Sequence, residues 1–79
     1  MKLPRDLAGV DLIKVLCKHL GYMLVNQEGS HVILETKDPR QHRISVPEHS
    51  QLRIGTLNSI LRAVATAKGV EKEDILSRL

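Results

Sequence analysis

The sequence has almost no aromatic residues. Among 79 residues there is one tyrosine, Tyr22, and there is neither phenylalanine nor tryptophan. RNA-binding domains of the RRM and OB types stack successive bases on several exposed aromatic rings. A chain with a single aromatic ring has no such surface. If nucleic acid is the partner, we expect the chain to hold it through its phosphates and helical shape.

Cysteine is equally scarce, because Cys17 is the only one. A single thiol excludes an internal disulfide and provides no zinc-binding framework. No apolar run approaches the length that spans a bilayer, and the first residues lack the apolar centre of a signal peptide. The sequence therefore predicts a cytoplasmic protein with no membrane segment, metal or cofactor. Its length predicts a single domain over residues 1–79.

The chain also lacks a basic tail or any long run of one charge. Its net charge is +3, from 12 lysines and arginines against 9 aspartates and glutamates. A basic balance favours nucleic acid as a partner. The basic residues are spread evenly along the chain, so any positive patch must be assembled by folding.

The apolar pattern predicts an α+β fold in the order α-β-β-β-α, with a short helix at the end. Apolar residues recur at helical spacing over residues 8–20, before Gly21, and again between Thr56, the expected helix cap, and Gly69. Between these helices, YMLVNQ, HVILETK and HRISV have the composition of strands, and Pro47 ends the third. The final EKEDILSRL places Ile75, Leu76 and Leu79 on one side and predicts the short helix. A three-stranded antiparallel sheet with helices on one face is the layout of the double-stranded RNA-binding fold.

The stretch EGSHVILETK places His31 at the start of the second predicted strand, directly after a Gly-Ser turn. Alternate residues of a strand share a face, so Val32 and Leu34 face the helices while His31 faces away. The uncovered face then also carries Glu35, Lys37 and Arg43. Imidazole exchanges protons near neutral pH, and cations stabilise a phosphate that becomes five-coordinate. This pattern is compatible with RNA cleavage at a ribose 2′-hydroxyl without a metal.

The same residues also have a plainer interpretation. A histidine at the start of a strand is commonly a solvated residue, and glycine suits a hairpin because it adopts positive φ. His49 follows Pro47 in a loop and either assists catalysis or is merely exposed, while His19 and His42 are expected on the surface. Basic side chains are either phosphate contacts or solvated residues: Lys37, Arg40, Arg43 and Arg53. The residues alone leave these alternatives open.

Five stretches in order resemble the HicA-type mRNA interferases, the toxins of bacterial or archaeal toxin–antitoxin pairs. They are LPRDLAG at 3–9, LIKVLCKHLGY at 12–22, GSHVIL at 29–34, VPEH at 46–49 and GTLNSILRA at 55–63. The resemblance implies a double-stranded RNA-binding-like fold and an endoribonuclease that cleaves mRNA and so inhibits translation. It also implies a HicB-type antitoxin that covers the active face, with His31 as the catalytic histidine and His49 positioning the substrate or donating a proton.

Two positions depart from the family pattern. Glu28 precedes the Gly-Ser-His motif, where members often have a basic side chain. Ala8 stands where a serine or threonine commonly caps the first helix, so the helix start is expected to be either frayed or capped by Asp6. Neither departure removes the Gly-Ser-His motif.

The leading hypothesis is a metal-independent ribonuclease toxin. In it, His31 is the general acid/base, and the residues that bind RNA are Lys37, Arg43 and His49. Two alternatives remain: a non-catalytic RNA-binding module of the same fold, and a small protein-interaction subunit that never contacts RNA.

Overall fold

The computed structural model describes Leu3 and residues 6–79, which fold in the order α-β-β-β-α followed by a short helix. The elements are α1 Gly9–His19, β1 Met23–Glu28, β2 His31–Thr36, β3 His42–Pro47, α2 Ile54–Lys68 and α3 Lys72–Leu76. The three strands form one antiparallel sheet in the order β1-β2-β3. The predicted α+β class, with the layout of the double-stranded RNA-binding fold, is confirmed.

One face of the sheet is covered by the helices. Along β2, Val32, Leu34 and Thr36 are buried, whereas His31 on the other face is exposed. The buried face packs against helix side chains that are fully buried: Leu12, Leu16, Leu57, Leu61, Val64 and Ile75. Alternation along β2 therefore separates a core face from an open one, as the sequence predicts. We call the open side the uncovered face.

The start of α1 is held by backbone contacts. Its cap residue, Ala8, makes no side-chain hydrogen bond, and the Asp6 carboxylate instead accepts a hydrogen bond from Gln51. The expectation that Asp6 caps this helix is therefore wrong. The N–H of Gly9 donates to the carbonyl oxygen of His49 at 2.9 Å. A Cβ atom on Gly9 would overlap the carbonyl oxygen of Pro47, so this close approach requires glycine.

The second helix begins earlier than its sequence indicates. Its cap is Arg53, which makes no side-chain cap bond, so the prediction that Thr56 caps the helix is wrong. The first turn closes when the N–H of Leu57 donates to the Arg53 carbonyl oxygen at 2.9 Å. Ile54 and Gly55 are exposed, so the apolar pattern could not reveal this turn. Gly69 ends the helix with a φ of 66°, as predicted.

The short α3 is a single capped segment against the core. Glu71 and Asp74 form a reciprocal capping box at its start, and Ile75 is fully buried. Leu79, which we expected on the same side as Ile75, lies beyond the helix and is 40% exposed. Within Leu3 and residues 6–79, no helix has both the length and the apolarity to cross a membrane.

Candidate active site

The turn between β1 and β2 determines the position of His31. It consists of Gly29 and Ser30, and Gly29 has a φ of 60°, which strongly favours glycine. Glycine at the first of two turn positions is typical of a type II′ hairpin, whose twist matches that of the strands it joins. The turn places Glu28 directly opposite His31. The Gly-Ser turn that the sequence predicts is therefore confirmed.

His31 lies on the uncovered face at one end of the central strand. Its side chain is exposed, and its partner in β3 is Pro47. Nδ1 of the ring lies 3.3 Å from Oγ of Ser45. Nε2 has no hydrogen-bond partner among the residues that the structure describes. That nitrogen is therefore available to exchange a proton with a bound molecule.

Ser45 was not among the residues that the sequence pointed to as functional. It pairs with Ile33, so it lies diagonally across from His31, within reach of a long side chain. The signal was present, because alternation in HRISV places Ser45 on the same face as His31. What the alternation lacked was the pairing register that makes the two residues neighbours.

His49 lies at the same end of the sheet, two residues after Pro47. Its side chain is exposed, and its carbonyl oxygen accepts the N–H of Gly9. The N–H of Glu48 donates to the carbonyl oxygen of Ser30, which joins this segment to the hairpin turn. The Gly-Ser-His and Pro-Glu-His motifs are therefore held at one end of the molecule by backbone hydrogen bonds.

The opposite end of the uncovered face carries a paired charge. Oε1 of Glu35 accepts hydrogen bonds from Nη2 of Arg43 at 2.9 Å and from its Nε at 3.2 Å. Gln41 donates to the same oxygen at 3.3 Å. These bonds, that of Arg43 first, hold the pKa of Glu35 below its ordinary value. Arg43 is 63% exposed, but its guanidinium already has a carboxylate partner.

The predicted phosphate contacts therefore lie away from His31. Glu35 is four residues along β2 from His31, or about 13 Å, and Arg43 lies opposite Glu35 on β3. Lys37 lies just past the end of β2, is exposed, and forms no ion pair with any described residue. The structure brings His31, Ser45 and the His49 segment to one end of the face and leaves Lys37 and Arg43 at the other.

His42 is not the surface residue that we expected. It is half-buried on the helix-covered side, and its Nδ1 lies 2.8 Å from the hydroxyl of Tyr22. Burial raises the pKa of Tyr22 to about 12, so the hydroxyl keeps its proton at neutral pH. The contact leaves Nε2 as the ring nitrogen of His42 that the Tyr22 hydroxyl does not touch.

Lys68 completes this second polar cluster. Its Nζ lies 5.3 Å from the centroid of the Tyr22 ring and donates to Oγ1 of Thr36 at 2.7 Å. It also donates to the backbone carbonyl of Asp38. Thr36 is the one polar residue of the buried core in the described part of the chain, and Lys68 satisfies its hydroxyl. No sequence pattern indicates this cluster, because it depends on tertiary contacts between β2 and α2.

The remaining reactive side chain is Cys17. It is half-buried and packs against the core, and burial raises the pKa of its thiol. A raised pKa disfavours the thiolate, which is the nucleophilic form of cysteine. In the described part of the chain, no three or more His, Cys, Asp or Glu side chains are grouped so as to hold a metal ion.

A family model described as the HicA toxin of bacterial toxin–antitoxin matches residues 9–65. This range covers most of the chain and includes α1, the whole sheet and nearly all of α2. It contains four of the five stretches that carry the resemblance; of LPRDLAG it includes only Gly9, and Pro4 and Arg5 lie outside the described residues. No curated protein and no solved structure gives a significant match. The chain belongs to the HicA toxin family, the toxin half of bacterial toxin–antitoxin pairs.

Proposed function

We propose that the protein is an endoribonuclease that cleaves mRNA and so inhibits translation, with His31 as its general acid/base. One observation carries the proposal: the Gly29-Ser30 turn presents an exposed imidazole whose Nε2 has no partner in the described part of the chain. Membership of a toxin family supports it, because cleavage of mRNA accounts for toxicity.

In the proposed reaction, the 2′-hydroxyl of a ribose attacks the neighbouring phosphorus. Nε2 of His31 takes the proton of that hydroxyl, the new P–O2′ bond forms, and the P–O5′ bond breaks. The products are a 2′,3′-cyclic phosphate and a 5′-hydroxyl. The leaving O5′ oxygen must receive one proton to form that hydroxyl. His49, held at the same end of the sheet, is our candidate to donate that proton or to position the substrate. The nucleophile belongs to the RNA, so the reaction requires no metal.

Ser45 orients the ring in this mechanism. Its hydroxyl lies 3.3 Å from Nδ1, a distance at which a hydrogen bond can hold the imidazole while Nε2 stays free for the substrate. Lys37 and Arg43 are proposed to bind RNA phosphates. At about 13 Å or more from His31, they contact phosphates other than the one that is cleaved.

The proposed protein partner is a HicB-type antitoxin that binds over the uncovered face of the sheet. The edge strand β1 supports a protein partner, because all six of its residues are exposed. Three of them are apolar and unusually open: Met23 is 70% exposed, Leu24 56% and Val25 45%. An exposed apolar edge strand is a template for pairing with another chain.

The test compares RNA cleavage by the unmodified protein and by His31→Ala. We expect the rate to fall by about 10²- to 10⁴-fold, the usual contribution of general acid–base catalysis. His19→Ala is the matched control, because His19 is an exposed histidine at the end of α1 and should leave the rate unchanged. Thermal unfolding of both variants checks that the fold persists. Equal cleavage by His31→Ala and the parent protein would refute the assignment.

Two further measurements distinguish the alternatives. Cleavage is expected to continue in EDTA, and its complete loss there would indicate a metal-dependent reaction. Tight, salt-sensitive binding of RNA that stays intact would instead favour the non-catalytic RNA-binding module. No affinity for RNA at low salt would favour the protein-interaction subunit.

A further inference from the structure

A second surface, which we call the basic groove, lies far from His31. It is formed by the loop between β2 and β3 and the C-terminal half of α2, and it encloses roughly 820 Å³. Its basic and titratable lining residues are Arg40, His42, Arg62 and Lys68, and the remaining lining residues are uncharged. The groove therefore holds three formal positive charges and no carboxylate.

The groove and His31 are at opposite ends of the same strand pair. His31 pairs with Pro47 at one end of β2 and β3, and Thr36 pairs with His42 at the other. Thr36 is five residues after His31 along the extended chain of β2, which corresponds to about 17 Å. A ligand in the groove cannot also be the group that reacts at His31.

The cations of the groove are available to a ligand. Arg40 and Arg62 are exposed and form no hydrogen bond or ion pair through their side chains with any other described residue. Lys68 is held in place by Thr36 Oγ1 and the Asp38 carbonyl, and both of these acceptors are neutral. Unlike Arg43 on the uncovered face, none of the three is neutralised by a carboxylate in the described chain.

His42 adds a polar ring to the groove. The Tyr22 hydroxyl contacts Nδ1 of this ring, and Nε2 is the nitrogen that Tyr22 does not contact. The groove thus combines two guanidinium groups, an ammonium and an imidazole. Guanidinium groups bind phosphate oxygens through two parallel hydrogen bonds, which suits a polyanion of regular geometry.

We infer that the basic groove binds the phosphodiester backbone of RNA, at nucleotides distant from the one cleaved at His31. This inference rests on the proposed ribonuclease function, because it assigns the groove to the same substrate. The lining favours RNA over an acidic protein segment. Its uncharged residues are small or polar, such as Ala63, Ala67 and Gly69, and include none of the large apolar or aromatic anchors that dominate protein interfaces.

A second groove shows why charge matters here. It lies between the end of α1 and β2, and its lining includes the basic Lys37 and Lys68, the latter shared with the basic groove, together with the acidic Glu35 and Asp38. Mixed charges within one groove cancel the attraction for a polyanion. Of these two grooves, the basic groove is the one that presents cations without an acidic residue in its lining.

The test measures binding in a His31→Ala background, in which the proposed mechanism leaves the RNA intact, and gel electrophoresis of the recovered RNA verifies that it has not been cut. The affinity of a long single-stranded oligoribonucleotide is measured by fluorescence anisotropy across a salt series. Arg40→Gln/Arg62→Gln is compared with Lys14→Gln/Arg78→Gln, which removes two exposed positive charges elsewhere. We expect the groove variant to lower the slope of log Kd against log salt by about 1.4, or 0.7 for each phosphate that is no longer bound, relative to the control.

Two outcomes would overturn the inference. One is an equal salt slope in the groove variant and the charge-matched control. The other is unchanged RNA binding together with weaker binding of the antitoxin, which would make the groove a protein-docking site. If the unmodified protein binds RNA without cutting it, the proposed ribonuclease function fails, but the salt slope still decides whether the groove holds phosphates.

Discussion

The two ends of the uncovered face carry their polar groups in different ways. At one end, the His31 ring has a single hydrogen bond, to a serine hydroxyl, and no carboxylate of the described residues bonded to it. At the other end, Arg43 donates two hydrogen bonds to Glu35. A cation that already has a carboxylate partner attracts a phosphate less strongly than a free one. Residues that alternate onto the same face of a sheet therefore need not take part in the same function.

The two ends are also positioned by different means. The His31 end depends on the backbone: the turn at Gly29, the close approach of Gly9 to Pro47, and the hydrogen bond between Glu48 and Ser30. The Arg43 end depends on side chains that reach across the strand pair. Backbone contacts fix the positions of the residues at the His31 end. At the Arg43 end, the exposed ion pair is easily rearranged, because it depends on flexible side chains.

Among the substitutions that test this comparison, the largest effect is expected when the backbone contact of the His31 end is broken. In Gly9→Ala, the new Cβ overlaps the carbonyl oxygen of Pro47, so α1 or the segment after β3 must move. We expect a decrease of about 1–3 kcal/mol in the free energy of unfolding, typical of overpacking. Urea denaturation measures it. RNA cleavage should fall in parallel, because the helix start no longer holds His49.

Gly55→Ala is the matched control for this substitution. Gly55 lies in the first turn of α2 and is exposed, and a methyl group added to it would meet no described atom within 4 Å beyond its chain neighbours and the backbone of its own helix. Alanine is the better helix former, so we expect the free energy of unfolding to rise by up to about 1 kcal/mol. If Gly9→Ala proves as stable as Gly55→Ala, the contact with Pro47 does not fix this end of the sheet.

A smaller effect is expected from Ser45→Ala, which removes the hydrogen bond to Nδ1 of His31. The bond is between exposed groups and is worth about 0.5–1.5 kcal/mol, so we expect cleavage to slow by roughly two- to tenfold. Because Ser45 acts through the imidazole, the pH dependence of kcat should shift as well. Ser45→Thr keeps the hydroxyl and should restore both properties. Parental kcat and pH profile in Ser45→Ala would show that the ring is oriented by other groups.

Much of the fold followed from local patterns, and the reason is physical. Helices cover only one side of the sheet, so burial alternates along β2 and the sequence HVILET shows it directly. The stripe of Leu57, Leu61 and Val64 likewise reports the face of α2 that packs on the core. Where burial sets the pattern, the pattern predicts the structure.

The sequence did not predict the features that a tertiary contact determines. The pairing of Glu35 with Arg43 depends on the register between β2 and β3, which alternation alone does not fix. His42 shares its face with Ile44 and Val46, so alternation already placed it inside, but a polar side chain was expected on the surface. The helix start at Arg53 has no capping side chain to mark it.

The candidate site shows the same division between what local sequence patterns predict and what tertiary contacts determine. Composition and spacing placed His31 on the uncovered face but could not decide between a solvated residue and a catalytic one. The resemblance to HicA toxins supplied that preference, and the family match confirms the resemblance without testing the role of the residue. Ser45 and the basic groove required the three-dimensional structure, because each joins residues that are far apart in the chain.

The smallest effect is expected from Glu35→Gln, which tests the difference between the two ends. The substitution removes the carboxylate that pairs with Arg43 and leaves the guanidinium free to bind a phosphate. We expect the slope of log Kd for RNA against log salt to become steeper by about 0.7, as for one added phosphate contact. An unchanged slope in salt-dependent anisotropy would show that Arg43 is far from the path of the RNA.

The same variant has a signature in the pH dependence of stability. Since Arg43 and Gln41 lower the pKa of Glu35, the carboxylate stabilises the fold at pH values above its ordinary pKa of 4.5. That contribution disappears as the pH falls through the lowered pKa of the folded state. The parent protein should therefore be slightly more stable than Glu35→Gln near neutral pH, and urea midpoints of the two should converge below pH 4.5. A difference that persists in acid would mean that Glu35 acts through packing, and the Arg43 end would then be as rigid as the His31 end.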